Sequence, residues 1–215
     1  MTIHAYNEIY LGNAQNILGH AVDFAVGTLK IPSDVFASAF SVSTVSKQFA
    51  IGNPRYVAGM NGCELGREVL LEVNVPFSDT EDVMYLDKSP EYWAGWALAF
   101  YQWYSSRSFI EILKTVPLSE IIGMYSVYHG MDISHFAERV NEIFKEKFPF
   151  TRLKYRRTNC NMSQSELSAC SGVALRQIQL FEQRQRNINN TSAITLLKLS
   201  RALSCKIEDL MEYEN

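Results

Sequence analysis

The sequence predicts an all-α protein in two parts: a larger helical domain over residues 1–148 and a smaller one over 149–215. Three observations predict it. Apolar residues recur at spacings of three and four along most of the chain. No run of alternating Val, Ile and Thr is long enough to propose a strand. A Phe148-Pro149-Phe150 break, hostile to helix at the proline and at the residue before it, separates stretches of opposite charge. Residues 151–215 carry 10 Lys and Arg against 6 Asp and Glu, a net of +4, while residues 1–150 carry 10 against 17, a net of −7. The basic part is the candidate for nucleic acid. With 47% hydrophobic and 20% charged residues, the 215-residue chain has ordinary globular composition and enough apolar material for a core.

The same composition excludes other classes. No stretch reaches 18 uncharged apolar residues, so no transmembrane helix is expected. The first ten residues, MTIHAYNEIY, have neither a basic nor an apolar segment of a secretory signal. Cys63, Cys160, Cys170 and Cys205 form no CxxC pair, which fits reduced thiols and a cytoplasmic location.

The elements follow in order. Tyr10, Ala14, Ile17, Leu18, Ala21, Phe24, Ala25 and Leu29 have helical spacing and predict one helix over 9–29. Ile31-Pro32-Ser33-Asp34 stops it, and Ser33 or Asp34 is placed to cap a short helix through Phe40. A third helix over 43–50 ends at Gly52-Asn53-Pro54. Gly59-Met60-Asn61-Gly62 is turn chemistry ahead of a helix over 63–73. Residues 75–88 form an acidic connector. Ser89-Pro90-Glu91 is a strong helix start, with a capping Ser, Pro at the first position and Glu in the first turn. It opens an aromatic helix over 90–105. Further helices are expected over 107–115, 118–128 and 132–147, the last with Asp132 or Ser134 as N-cap.

Residues 152–213 hold the most informative pattern, which reads as five helices. The first covers about 151–160. The second follows Ser163, with Ser163 and Glu166 as a capping box, and ends at Ser171-Gly172, where Gly suits the left-handed turn. The third runs 174–183. The fourth starts beyond Asn190-Thr191 and carries Ile194, Leu197, Leu199 and Leu203. The fifth covers 206–213. Leu167, Val173, Ile178 and Phe181 have the spacing to lock the second helix against the third.

Helix, short Gly-containing turn, helix is a helix-turn-helix unit. Arg157, Met162-Ser163-Gln164, Glu166-Leu167-Ser168, Ser171-Gly172-Val173, Ile178, Phe181-Glu182, Leu196-Leu197-Lys198-Leu199 and Ala202-Leu203 closely resemble the lambda-repressor-like (XRE, phage-repressor-type) helix-turn-helix family. The resemblance implies a buried Arg157–Glu182 pair with a structural role, and a phosphate contact at Gln164. It also implies a recognition helix over 174–183, with Leu175, Arg176, Gln177, Gln179 and Leu180 facing outward. Arg gives bidentate bonds to guanine and Gln to adenine. Leu175 and Leu180 either meet thymine methyls or mark a protein-binding surface. Arg184 and Arg186 fall where backbone contacts are expected. Arg184 stands where the family often has Gly, so the third helix is open to a different ending.

Other features weigh toward plain structure. Trp93, Trp96 and Trp103, with Tyr92, Phe100, Tyr101 and Tyr104, share one helix; helical spacing favours core over a ligand pocket or dimer seam. His4, His20, His129 and His135 have no metal-ligand spacing, although His20 and Asp23 stand one turn apart. Cys63, near a helix start, is a candidate for a lowered pKa, but no His accompanies it. Cys160, Cys170 and Cys205 are expected as small core residues. No acid, base and nucleophile set is recognisable, so no enzyme, no cofactor and no metal are expected. The expected function is a sequence-specific double-stranded DNA-binding transcriptional regulator. A homodimer is expected, because one recognition helix reaches only a few base pairs. The alternative is an antitoxin or interaction module whose N-terminal domain binds a partner protein, with the helix-turn-helix used for autoregulation.

Overall fold

The computed structural model describes residues 4–78, 80–83 and 87–212, and these are all-α, with no strand among them. The chain divides into two compact units, one ending at Phe144 and one beginning at Lys145.

In the first unit, a 3-10 turn at Glu8–Tyr10 leads into α1 (Leu11–Val22). The rod continues as a π-helical turn over Asp23–Thr28. The winding thus changes within the stretch that periodicity predicts as one helix. It changes at Asp23, whose buried carboxylate accepts a 2.6 Å hydrogen bond from the Ser89 hydroxyl. Next come α2 (Ser33–Val42), α3 (Thr44–Ala50), the single turn α4 (Pro54–Val57) and α5 (Gly62–Glu72). Neither Ser33 nor Asp34 caps α2; Pro32 holds that position. The Asp34 carboxylate instead accepts from the Ser119 amide at 3.1 Å and its hydroxyl at 2.8 Å. The Asn53-Pro54 pair, expected only as a stop, also starts α4. Asn53 caps it and Pro sits at the first position, where its missing N–H is not needed. Asn61 and Glu64 form a capping box on α5.

Helix α6 (Pro90–Ser105) begins as expected, with the Ser89 hydroxyl accepting from the Tyr92 amide at 2.9 Å. It is followed by α7 (Phe109–Thr115), α8 (Leu118–Gly123), α9 (Tyr125–Tyr128) and α10 (Ile133–Lys147), whose residues from Lys145 on belong to the second unit. The helix expected over 118–128 breaks behind Gly123, the poorest helix former in that run.

The aromatic helix is buried on most sides. Trp93, Tyr101 and Trp103 are core, and Trp96, Phe100 and Tyr104 pack against it. Trp93 meets Phe136 edge-on at 5.4 Å between centroids, and the Tyr101 hydroxyl donates to Asn141 at 2.8 Å. The buried rings are thus spent inside the unit and are not offered to a second copy. Helix α1 crosses α6 at backbone contact. A Cβ on Gly95 would strike the Leu18 carbonyl oxygen, and one on Gly19 would lie 2.8 Å from the Tyr92 ring.

The second unit contains α11 (Arg152–Asn159), α12 (Gln164–Ser171), α13 (Leu175–Glu182) and α14 (Ala193–Ala202). A 3-10 turn at Ile188–Asn190 lies between the last two. Its core is Leu153, Leu167, Val173, Ile178, Phe181, Ile188, Leu196, Leu199, Leu203 and Leu210. Two expectations change. The fifth element is only a 3-10 turn, Ile207–Asp209, with the end of the expected 206–213 helix outside the described residues. On α14, Ile194 and Leu197 face solvent while Leu196 fills the core, because the buried stripe runs 196, 199, 203.

The contact between α1 and α6 yields the first prediction. Gly95→Ala should destabilise the first unit by about 1–3 kcal/mol, because the clashing atom is backbone and the helices must part. Gly12→Ala, with nothing within 4 Å of its new methyl, should instead stabilise by up to about 1 kcal/mol. Thermal melts of the two variants beside the parent protein check both signs.

Candidate nucleic-acid interface

The presentation of α13 begins with an ion pair. Arg157 on α11 donates to both carboxylate oxygens of Glu182 on α13, at 2.7 and 2.8 Å, and its third bond, 2.6 Å, goes to the Met162 carbonyl. The Glu182 side chain is only 2% exposed. Its hydrogen bonds to Arg157 hold the guanidinium in the charged form, against the opposing effect of burial. Three segments are thereby joined through one guanidinium: α11, which carries it, the loop before α12, and the C-terminal end of α13.

Gln164 adds a fourth contact. Its side-chain amide donates to the same Glu182 oxygen at 2.8 Å. The residue expected at a phosphate is therefore also a brace between α12 and α13. The capping box at the start of α12 forms as read: Ser163 accepts from the Glu166 amide, and the Glu166 carboxylate accepts from the Ser163 amide at 2.7 Å. These bonds hold the Glu166 carboxyl below its ordinary range. Gly172 ends the helix with φ 65, the left-handed turn that joins it to α13.

Ile178 and Phe181 are buried, which turns the opposite side of α13 outward. Residues 176, 179, 180 and 183 share that face by helical spacing. Arg176 and Gln183 are exposed, Gln179 and Leu180 are half-buried, and Leu175 stands half-buried at the edge. Gln177 turns aside, 3.4 Å from the Thr191 hydroxyl. Gln183 was not among the residues selected from sequence. Its position seven residues after Arg176 was the available signal, and the expected helix end at 183 hid it. Arg186 is exposed in the loop after α13. Arg184 is exposed too, and one of its terminal nitrogens donates to the Pro149 carbonyl at 3.2 Å.

Arg184 also shows how the third helix ends. Its φ is 55, so the chain makes the left-handed turn without glycine, and the amides of Gln185 and Arg186 both reach back to the Leu180 carbonyl. A non-glycine residue there carries roughly 1–2 kcal/mol of steric cost.

The remaining candidates separate from this surface. Cys160 and Cys170 are exposed rather than core, and only Cys205 is half-buried. Cys63 is buried at the start of α5, and burial pushes its thiol up, opposite to the activation considered from its helix position. His20 does not pair with Asp23 as their spacing suggested; its ring nitrogen lies 3.3 Å from the Lys88 ammonium. Burial and that cation lower its pKa, while Asp23 pulls the other way. A shallow groove on the first unit is lined by Glu64, Glu68 and Glu72, but each carboxylate is engaged within the fold. Glu64 accepts from Asn61, Glu68 from Arg55 and Tyr56, and Glu72 from the Thr44 amide. Among the described residues, no group of three or more His, Cys, Asp and Glu side chains is placed to hold a metal ion.

A helix-turn-helix with an outward-facing second helix belongs to the class of DNA-binding modules. Residues 152–215 match a family model described as the Cro/C1-type HTH DNA-binding domain, the lambda-repressor-like type. That match covers the second unit and leaves the first unassigned. No curated protein and no solved structure matches the chain. Among the described residues, no helix is long and apolar enough to cross a membrane.

Two substitutions separate scaffold from surface. Arg157→Ala should destabilise the second unit by about 3–5 kcal/mol, because it strands a buried carboxylate. Arg176→Ala, at an exposed position, should stay within about ±0.5 kcal/mol. Melting curves of the two variants test the assignment, and the opposite order would overturn the placement of α13. A third change tests the strained turn. Arg184→Gly should raise stability by up to about 1 kcal/mol, the relief of the left-handed arginine offset by extra freedom in the unfolded chain and the lost bond to Pro149.

Proposed function

We propose that the protein is a sequence-specific regulator of transcription that lays α13 in the major groove of double-stranded DNA. The observation that carries this reading is the pairing of a rigid mount with a free reading face. Glu182, held by Arg157 and Gln164, anchors one side of α13, and the other side presents Arg176, Gln179 and Gln183. Arg176 suits the O6 and N7 acceptors of guanine, and the glutamines suit the N6 and N7 of adenine. Arg184 and Arg186 sit beyond the helix end, where a phosphate backbone would pass.

A single eight-residue helix contacts few base pairs, so the reading includes a homodimer on two half-sites. The first unit supplies the remaining function: dimerisation, sensing or contact with a partner protein. An enzymatic role is not part of this reading, because the carboxylates that line the groove of the first unit are committed to helix caps and ion pairs. The reading calls for no cofactor and places the protein with its DNA, in the cytoplasm.

The test is titration of the full chain against labelled genomic fragments across a salt series. Affinity should fall steeply with salt, because phosphate contacts release counterions. Arg184→Gln and Arg186→Gln should each lower the slope of log K against log salt by about 1 while leaving sequence preference intact. Arg176→Ala should relax preference at one base position, by about 1–3 kcal/mol, without changing the slope as much. Folded protein that binds no duplex even at low salt would refute the proposal. Sedimentation of the free protein should give twice the chain mass.

A further inference from the structure

We infer that Leu180 is a specificity-determining residue that selects thymine, its methyl groups closing on the C5-methyl of a base beside the one that Arg176 reads. The inference rests on the DNA-binding reading above and adds to it the chemistry of one position in the bound site.

This leucine lies outside the apolar core of the second unit. The core of the second unit takes Ile178 and Phe181 from α13, and the partly buried apolar side chains packed on that core are Met162, Ala202, Cys205 and Ile207. Leu175 and Leu180 are in neither group among the described residues, and both are half-exposed. Leu180 stands on the outward face with Arg176 one turn before it and Gln183 three residues after it.

A leucine on a reading face discriminates by what it lacks. In the major groove guanine, cytosine and adenine present nitrogen or oxygen atoms and no methyl group, whereas thymine sets a methyl group beside its O4 acceptor. Opposite any of the first three, Leu180 would shut a polar base atom away from water with no hydrogen bond in return, which is unfavourable. Opposite thymine it covers apolar surface. Position follows from the rise of the helix. Four residues advance about 6 Å along the axis, and base steps are about 3.4 Å apart. The thymine should therefore lie within about two base pairs of the base read by Arg176.

The experiment starts from genomic fragments bound by the full chain. Each thymine of the bound site is replaced in turn by uracil, which removes one methyl and nothing else. For the parent protein, at least one replacement should weaken binding about fourfold, the value of one buried methyl-sized group. The responding position should lie within about two base pairs of the position that loses its preference in Arg176→Ala. Leu180→Ala should bind that site with the same salt slope, remain folded with a cooperative melt, and no longer distinguish thymine from uracil there. Leu175→Ala should keep the distinction. A flat uracil scan on the parent protein, or a Leu180→Ala variant that keeps the full methyl effect, would overturn the inference and leave the DNA-binding reading standing. A Leu180→Ala variant that sediments at a lower mass would overturn it in favour of a protein contact at this face. Absence of binding to every duplex at low salt would remove the underlying reading as well.

Discussion

Glu182 carries a negative charge into a place that water barely reaches, and the geometry of the second unit follows from how that charge is met. A lone buried carboxylate would be strongly unfavourable. Arg157 meets it with two parallel hydrogen bonds, a pairing whose planar fork fixes direction as well as distance. The same guanidinium closes the turn at Met162, and Gln164 takes what remains of one Glu182 oxygen. Because the ties from Arg157 and Gln164 both converge on Glu182 at the end of α13, rotation or sliding of the helix would leave a buried charge unpaired. That rigidity is what a base-reading surface requires.

A different constraint governs the first unit. There the organising contact is apolar and close: α1 and α6 touch through Gly19 and Gly95, and the rings of α6 fill the space on its other sides. A glycine contact admits no gradual adjustment, since any side chain would meet backbone. The polar groups of this unit serve the same end. Asp23 ties α1 to the start of α6 through Ser89, and Asp34 reaches across to Ser119 on α8. The acidic character of the unit, which stood out in the charge count, is in part the chemistry of caps and ion pairs.

The candidate site was legible where its signals are local. Ser163 with Glu166 has the spacing of a capping box, Gly172 has the conformation that a helix-ending glycine prefers, and both do in the structure what the sequence suggested. Arg157 and Glu182 are 25 residues apart, and nothing local connects them. Their pairing was available only through resemblance to a family. The second role of Gln164 was not legible, because a glutamine at a helix start serves a phosphate or a neighbouring carboxylate equally well. Gln183 and the exposed Cys160 and Cys170 depend on where a helix ends and how it rolls, and a single residue of boundary shift changes both.

Periodicity and end signals by themselves determined the all-α class, most helix starts and the inward residues Leu167, Val173, Ile178 and Phe181. These are properties of a few consecutive residues and of the 3.6-residue turn. Tertiary structure decided the rest. It placed Leu196 rather than Ile194 and Leu197 in the core and kept the left-handed turn at Arg184 without glycine. It also decided which neighbours, Phe136 and Tyr125 among them, cover the aromatic helix α6, whose burial helical spacing favoured. The physical reason is common to all three. An amphipathic stripe specifies that a face will be covered, but which neighbour covers it, and at what angle, depends on side chains far away in the chain.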